Sequence, residues 1–147
     1  ALVSVDFFND VDKRYSVQER EGFLAPMRAD FSKMTHAFVR QEMFTARADS
    51  SLAERISRDM ASGPPAVAVS AMENLLRYDQ GAAMASAKVP VRLINADKWP
   101  TDLEAIRRHN AAVGLAVMPA VGHFLMMEDP EEFNRLLTRA ISELLAR

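Results

Sequence analysis

The hydrophobic period of this chain changes twice, and that alternation limits its fold more than any other feature. Leu2-Val3-Ser4-Val5 reads as a short interior strand, residues from about 16 to 86 carry helical signals almost throughout, and from Lys88 onward short apolar runs alternate with helices. In the middle stretch, Ser16-Val17-Gln18-Glu19 is a capping box whose helix is expected to yield at Pro26. From about Asp30 a second helix places Phe31, Met34, Phe38 and Met43 near one face. Ser51-Leu52-Ala53-Glu54 predicts a third helix ending at Ser62-Gly63, and Pro64-Pro65 open a fourth that runs to about Tyr78.

Past Lys88 the texture is different. Val89 to Ile94 is a β-branched run, Thr101-Asp102-Leu103-Glu104 caps a helix to about Asn110, and Gly114 to Met118 is strand-like. Asp129 is a good N-cap with Pro130 at N1 and Glu132 at N3. Phe133, Leu136, Leu137, Ala140, Ile141 and Leu144 then recur at helical spacing. Strand, helical insertion, strand, helix, strand, helix predicts an α/β fold with a partial parallel sheet of about three strands. The expected divisions are 1-15 for the leading strand and loop, 16-86 for the helical cap, and 87-147 for the remaining strands and helices. Reactive groups in such sheets lie outside the carboxyl ends of the strands, where Asp6, Trp99 and His123 fall.

Composition narrows the function classes. The chain has 147 residues, 49% hydrophobic and 26% charged, which suits a soluble globular domain with a real core. A net charge of −2, with Lys and Arg scattered among Asp and Glu, leaves no basic stripe for nucleic acid or anionic lipid. Without cysteine there is no disulfide framework, thiolate metal site or thiol nucleophile, which fits a reducing, cytoplasmic compartment. No run approaches the roughly 20 apolar residues that cross a bilayer. Neither cofactor nor metal is expected. The chain opens without Met directly in a strand-like run, so an upstream segment is expected.

Gly122-His123-Phe124-Leu125, followed by Glu128-Asp129-Pro130-Glu131-Glu132-Phe133, resembles the catalytic-histidine segment of the α/β-hydrolase family. Val89 to Pro100 is similar to that family's penultimate strand and acid-bearing turn, Ala1 to Asp6 to the strand before its helical cap, and the intervening helices to the cap. The likeness spans the chain and is strongest in the last 60 residues. It implies an esterase-like hydrolase with a nucleophile, histidine and acid triad, in which His123 matches the general base. His36, in the middle of a helix, reads as packing or surface, and His109, after Arg107 and Arg108, as a solvated group meeting a helix dipole.

The acid departs from the family's pattern, because Asn95-Ala96-Asp97-Lys98-Trp99-Pro100 puts an indole where the aspartate usually stands. Three repairs are open: Asp6 at the end of the preceding strand, within reach because adjacent strands lie about 4.8 Å apart; Asp97 or Asp102 through a shifted turn; or no functional acid. Asp6 is preferred, a placement similar to that of haloalkane dehalogenase-like branches. The nucleophile elbow, Gly-x-Ser-x-Gly, is missing, since Gly22, Gly63, Gly81, Gly114 and Gly122 permit no such spacing. The resemblance implies that the serine and oxyanion amides lie on a preceding segment, and that this chain alone is inactive.

Phe7, Trp99, Phe124, Met34 and Phe38 are candidates to line a pocket for a small hydrophobic substrate. Met27, Met34, Met43, Met60 and Met72 in the insertion read first as packing. An unpaired edge on the leading strand would take the complementary hydrolase segment or a second copy of the chain. The competing expectation is a non-catalytic binding protein on the same scaffold, which Trp99 makes credible.

Overall fold

The computed structural model describes residues 1–146, which form two compact units: 13–78, and 1–12 together with 79–147 less its final residue. The helical unit contains α1 (Val17–Ala29), α2 (Phe31–Glu42), α3 (Ser50–Ala61) and α4 (Pro65–Arg77). Here α1 packs on α2 and α4, and α2 packs on α3. The Ser16/Glu19 capping box forms as read from sequence, but α1 runs through Pro26 to Ala29. Proline forfeits a donor while keeping its carbonyl, and that carbonyl accepts the Asp30 amide at 3.1 Å, so one further turn closes. The cap of α3 is Asp49, whose carboxylate takes the Leu52 amide at 2.7 Å and leaves Ser51 inside the helix.

The sheet unit holds β1 (Leu2–Val5), α5 (Gln80–Ser86), β2 (Val91–Ala96), α6 (Leu103–His109), β3 (Gly114–Met118), α7 (Leu125–Glu128) and α8 (Pro130–Leu145). All strands are parallel, in the order β1-β2-β3, with Val5 opposite Ile94 and Ala96 opposite Met118. Helix α5, which the sequence reading grouped with the cap, belongs to the sheet unit because Met84 is buried against Val11, Leu93 and Ile106. The second strand begins two residues later than expected: Pro90 has no amide to donate, although its carbonyl accepts from Leu2 at 2.9 Å.

Every residue of β2 is buried, as a central parallel strand requires. Alternation divides the core between its faces. Val91 and Leu93 pack with Met84, Ala105, Ile106 and Val113, whereas Ile94 and Ala96 pack with Met118, Val121, Leu125, Leu136 and Ala140. Arg92 lies on the α8 side, where its Nε donates to Glu143 at 3.0 Å and its guanidinium also reaches the Val91 and Ala112 carbonyls. Its stem crosses the partner position on β3, so a Cβ at Gly114 would sit 2.8 Å from Arg92 Cδ. On the described residues β1 pairs with β2 alone and its outer edge is unpaired. No helix among them is long and apolar enough to cross a membrane.

Leu125, fully buried two residues after His123, anchors the loop that carries the imidazole. Leu125→Ala is expected to lower the unfolding free energy by about 2–5 kcal/mol, because the sheet and α8 cannot collapse onto the void. A urea midpoint within error of the parent would show that the anchor is dispensable.

Candidate active site

The site gathers at the carboxyl ends of all three strands. β1 ends at Val5, and the Asp6 amide still continues the ladder by donating to the Ile94 carbonyl at 2.9 Å. The chain then turns through two left-handed residues, Asp6 at φ 44° and Phe8 at φ 59°. Such backbone costs on the order of 1–3 kcal/mol per residue and persists only where the surroundings over-determine it. Aspartate tolerates this region, whereas a phenylalanine there is a true outlier.

The Asp6 side chain has no exposed surface, and both its oxygens are engaged. Oδ1 accepts the Ala96 amide at 2.9 Å, and Oδ2 lies 2.7 Å from Nδ1 of His123. A carboxylate only accepts, so Nδ1 carries the hydrogen of that bond and Nε2 of the neutral ring keeps its lone pair. The His123 side chain retains 34% of its surface exposed, so the ring is seated without being entombed. Trp99 and Phe124 flank it, with ring centroids 5.8 and 5.4 Å away.

Two carboxylates hold the loop just before His123. Asp97 Oδ1 accepts the amide of Ala120, itself left-handed at φ 64°, at 2.9 Å. Glu128 Oε1 accepts the Gly122 amide at 2.9 Å. Burial pushes the Glu128 carboxyl above its usual range and the nearby charge of Asp6 adds to this, against the opposing bonds from the Gly122 and Phe124 amides.

Of the residues singled out from sequence, the structure brings Asp6, Trp99, His123 and Phe124 together. Phe7 follows Asp6 in the chain, and its ring meets Phe8 edge-on at 4.7 Å. Asp97 serves the Ala120 turn as described, and Asp102 caps α6 through the Ala105 amide at 2.8 Å. Asp102, rather than Thr101, is therefore the N-cap. Met34 and Phe38 are half-buried on α2 in the helical unit, where Phe38 packs edge-on against Phe23 at 5.2 Å. Two open clefts of about 530 and 310 Å³ are lined wholly by helical-unit residues, and neither includes Met34 or Phe38.

The other histidines also meet carboxylates. His36 Nε2 is 3.3 Å from Glu54, whose carboxyl is held down to about 2 by Arg40 first, then His36 and Arg58. His109 Nε2 is 2.7 Å from Asp12, which His109 and Arg108 hold below the usual carboxylate range. Among the described residues no group of three or more His, Asp or Glu is arranged to hold a metal ion.

Sequence reading missed three supporting residues: Asn95, Thr101 and Glu128. Asn95 Nδ2 donates to the Phe7 carbonyl at 3.1 Å and to Thr101 Oγ1 at 2.9 Å. Asn9 Nδ2 also reaches Thr101 Oγ1, at 3.3 Å, and the Trp99 carbonyl at 3.0 Å. The available signal was one amide side chain inside the otherwise apolar Leu93-Ile94-Asn95-Ala96.

A raised folded-state pKa at Glu128 means that its stabilising contribution is full below the unfolded carboxyl value and is lost as pH rises through the folded one. Glu128→Gln keeps an acceptor for Gly122 without the charge. It is expected to be more stable than the parent at pH 7, by less than about 1 kcal/mol after allowing for solvent screening, with the gain vanishing at acid pH. Urea titrations at pH 3.5 and 7 read the sign; a variant less stable at pH 7 would contradict it.

No family model and no curated protein sequence matches the chain. Solved structures do match. An esterase from Thermogutta terrifontis superposes with a TM-score of 0.77 at 17% identity, over 97% of this chain and 55% of that one. A bromoperoxidase from Bacillus anthracis gives 0.76 at 16% identity, over 95% and 57%. A hydrolase from Oleispira antarctica gives 0.71 at 17% identity, over 87% and 48%. The chain thus spans about half the length of these proteins, and its fold is that of the C-terminal half of an α/β-hydrolase.

Proposed function

We propose that this chain supplies the general base and the acid of an esterase-like, serine-type hydrolase, with His123 as base and Asp6 as acid. One observation carries the reading: a buried carboxylate 2.7 Å from one ring nitrogen of a histidine that is still one-third exposed. Pairing Nδ1–H with Asp6 fixes the tautomer in which Nε2 is the free base. A hydroxyl brought to Nε2 gives up its proton as it attacks an ester carbonyl, and Asp6 stabilises the imidazolium that results. The imidazolium then returns the proton to the departing alcohol oxygen. Such proton transfer is worth about 10²–10⁴-fold.

The nucleophile and oxyanion donors belong, in this reading, to a companion segment beyond the 147 residues. Two features favour that: the chain spans about half the length of its structural neighbours, and the outer edge of β1 offers unpaired backbone groups for another parallel strand. Trp99 and Phe124 beside the base suit a small hydrophobic acyl group.

The test joins this chain to a nucleophile-bearing first half and measures hydrolysis of a short-chain nitrophenyl ester. The chain alone is expected to be inactive, and His123→Ala in the fusion to abolish turnover. Asp6→Asn is expected to lower kcat by about 10³–10⁴-fold, as when a triad imidazole loses the partner that sets its tautomer. Asp97→Asn and Asp102→Asn leave the imidazole's partner in place and should cost far less. Full activity in His123→Ala removes the base from the proposal; a larger loss at Asp97 than at Asp6 reassigns the acid.

A further inference from the structure

We infer that Asn95 is a positioning residue, which aims the Asp6 carboxylate at His123 by holding the carbonyl of Phe7 between two left-handed residues. The inference rests on the base and acid roles proposed for His123 and Asp6, and goes beyond them to the device that sets their geometry.

Asn95 is fully buried near the end of β2, and its amide is used one-sidedly. Nδ2 makes both bonds, to Phe7 O and Thr101 Oγ1, while Oδ1 has no partner. Turning the amide over would set its oxygen against the Phe7 carbonyl, acceptor facing acceptor, so the orientation is fixed by what the donor must reach. A leucine of similar size would fill the space and remove the unpaired Oδ1, but it would take the donor away from the Phe7 carbonyl and from Thr101 Oγ1. What the amide supplies is a donor at the one carbonyl lying between Asp6 and Phe8, both at positive φ.

That carbonyl matters because of where the strain sits. The Asp6 amide is tied to Ile94 and its Oδ1 to the Ala96 amide, which secures the turn on its incoming side. Farther along, the Asn9 carbonyl accepts from Asp102 at 2.8 Å. Between these two fixed points the Asn95 amide holds Phe7, and Thr101 holds the Asn95 amide in turn. A turn with two strained residues and a slack centre would relax, rotating the Asp6 backbone and swinging Oδ2 off the imidazole. A bond of 2.7 Å between charge and donor is sensitive to such a shift.

The experiment is 15N NMR of the His123 ring in the 147-residue chain, read as the ratio of the Nδ1–H to the Nε2–H tautomer at a pH where the ring is neutral. The parent should be dominated by Nδ1–H, and Asp6→Asn should reverse that. Asn95→Leu should lower the ratio several-fold while circular dichroism reports an intact fold; a residue that merely supports the fold would shift the unfolding midpoint and leave the tautomer alone. Should Asn95→Leu fail to fold, Thr101→Val decides. It removes the acceptor that steadies the amide from a half-buried site, and should move the ratio in the same direction by a smaller factor. If Asp6→Asn reverses the tautomer while the folded variants at 95 and 101 match the parent, the positioning role is overturned and the base and acid reading stands. If Asp6→Asn itself changes nothing, both fall.

Discussion

A carboxylate with no exposed surface has to find a partner for each oxygen, and that requirement at Asp6 organises the end of the sheet. Removing a charge from water is costly unless it is paired and hydrogen-bonded. Asp6 meets the condition with the Ala96 amide from β2 on one oxygen and the imidazole from the loop after β3 on the other. One side chain therefore locks three strand ends together. The β1–β2 register places the Asp6 amide on Ile94, the β2–β3 register brings Ala96 opposite Met118, and the loop after Met118 delivers His123. Two left-handed residues at about 1–3 kcal/mol each are a tolerable cost when the alternative is a buried charge left without a partner.

Much of this was legible in the sequence, for local physical reasons. The alternation of strand and helix after Lys88, the Asp129-Pro130 helix start and the Ser16/Glu19 box depend on neighbours within a few residues, and all appear in the structure. The proximity of Asp6 to His123 followed from strand ends lying side by side in a parallel sheet. Other features escaped because several residues competed for one role. Asp49 and Ser51 both suit a cap, and the charged acceptor took it. Thr101 looked like a cap, but its hydroxyl is occupied by Asn95 and Asn9, partners distant in sequence or across the turn. The placement of α5 was equally non-local: only burial of Met84 beside Val11 and Ile106 assigns it to the sheet.

Tryptophan at position 99, where the resemblance leads one to expect an aspartate, is compatible with the proposed acid at Asp6. Position 99 lies beyond β2, whereas Asp6 stands at the end of the neighbouring strand, one strand spacing of about 4.8 Å away. A longer turn from the β2 side or a direct reach from the β1 side can bring a carboxylate to the same nitrogen. On the β2 side, Trp99 presents an aromatic ring 5.8 Å from the imidazole.

All three histidines in the chain sit near carboxylates, so pairing alone distinguishes nothing. What separates them is water. Glu54 is 36% exposed and shared among Arg40, His36 and Arg58, and Asp12 is 45% exposed and shared between His109 and Arg108. Solvent screens such pairs, and competing cations dilute any one partner's hold on the imidazole. Asp6 has no exposed surface, and the hydrogen-bond partners of its two oxygens are one backbone amide and His123. Its Oδ2 is therefore committed to a single ring nitrogen, with no competing cation bonded to either oxygen. The same pairing leaves Nε2, across a ring that is one-third exposed, as the nitrogen without a hydrogen, which is what the proposed general base requires.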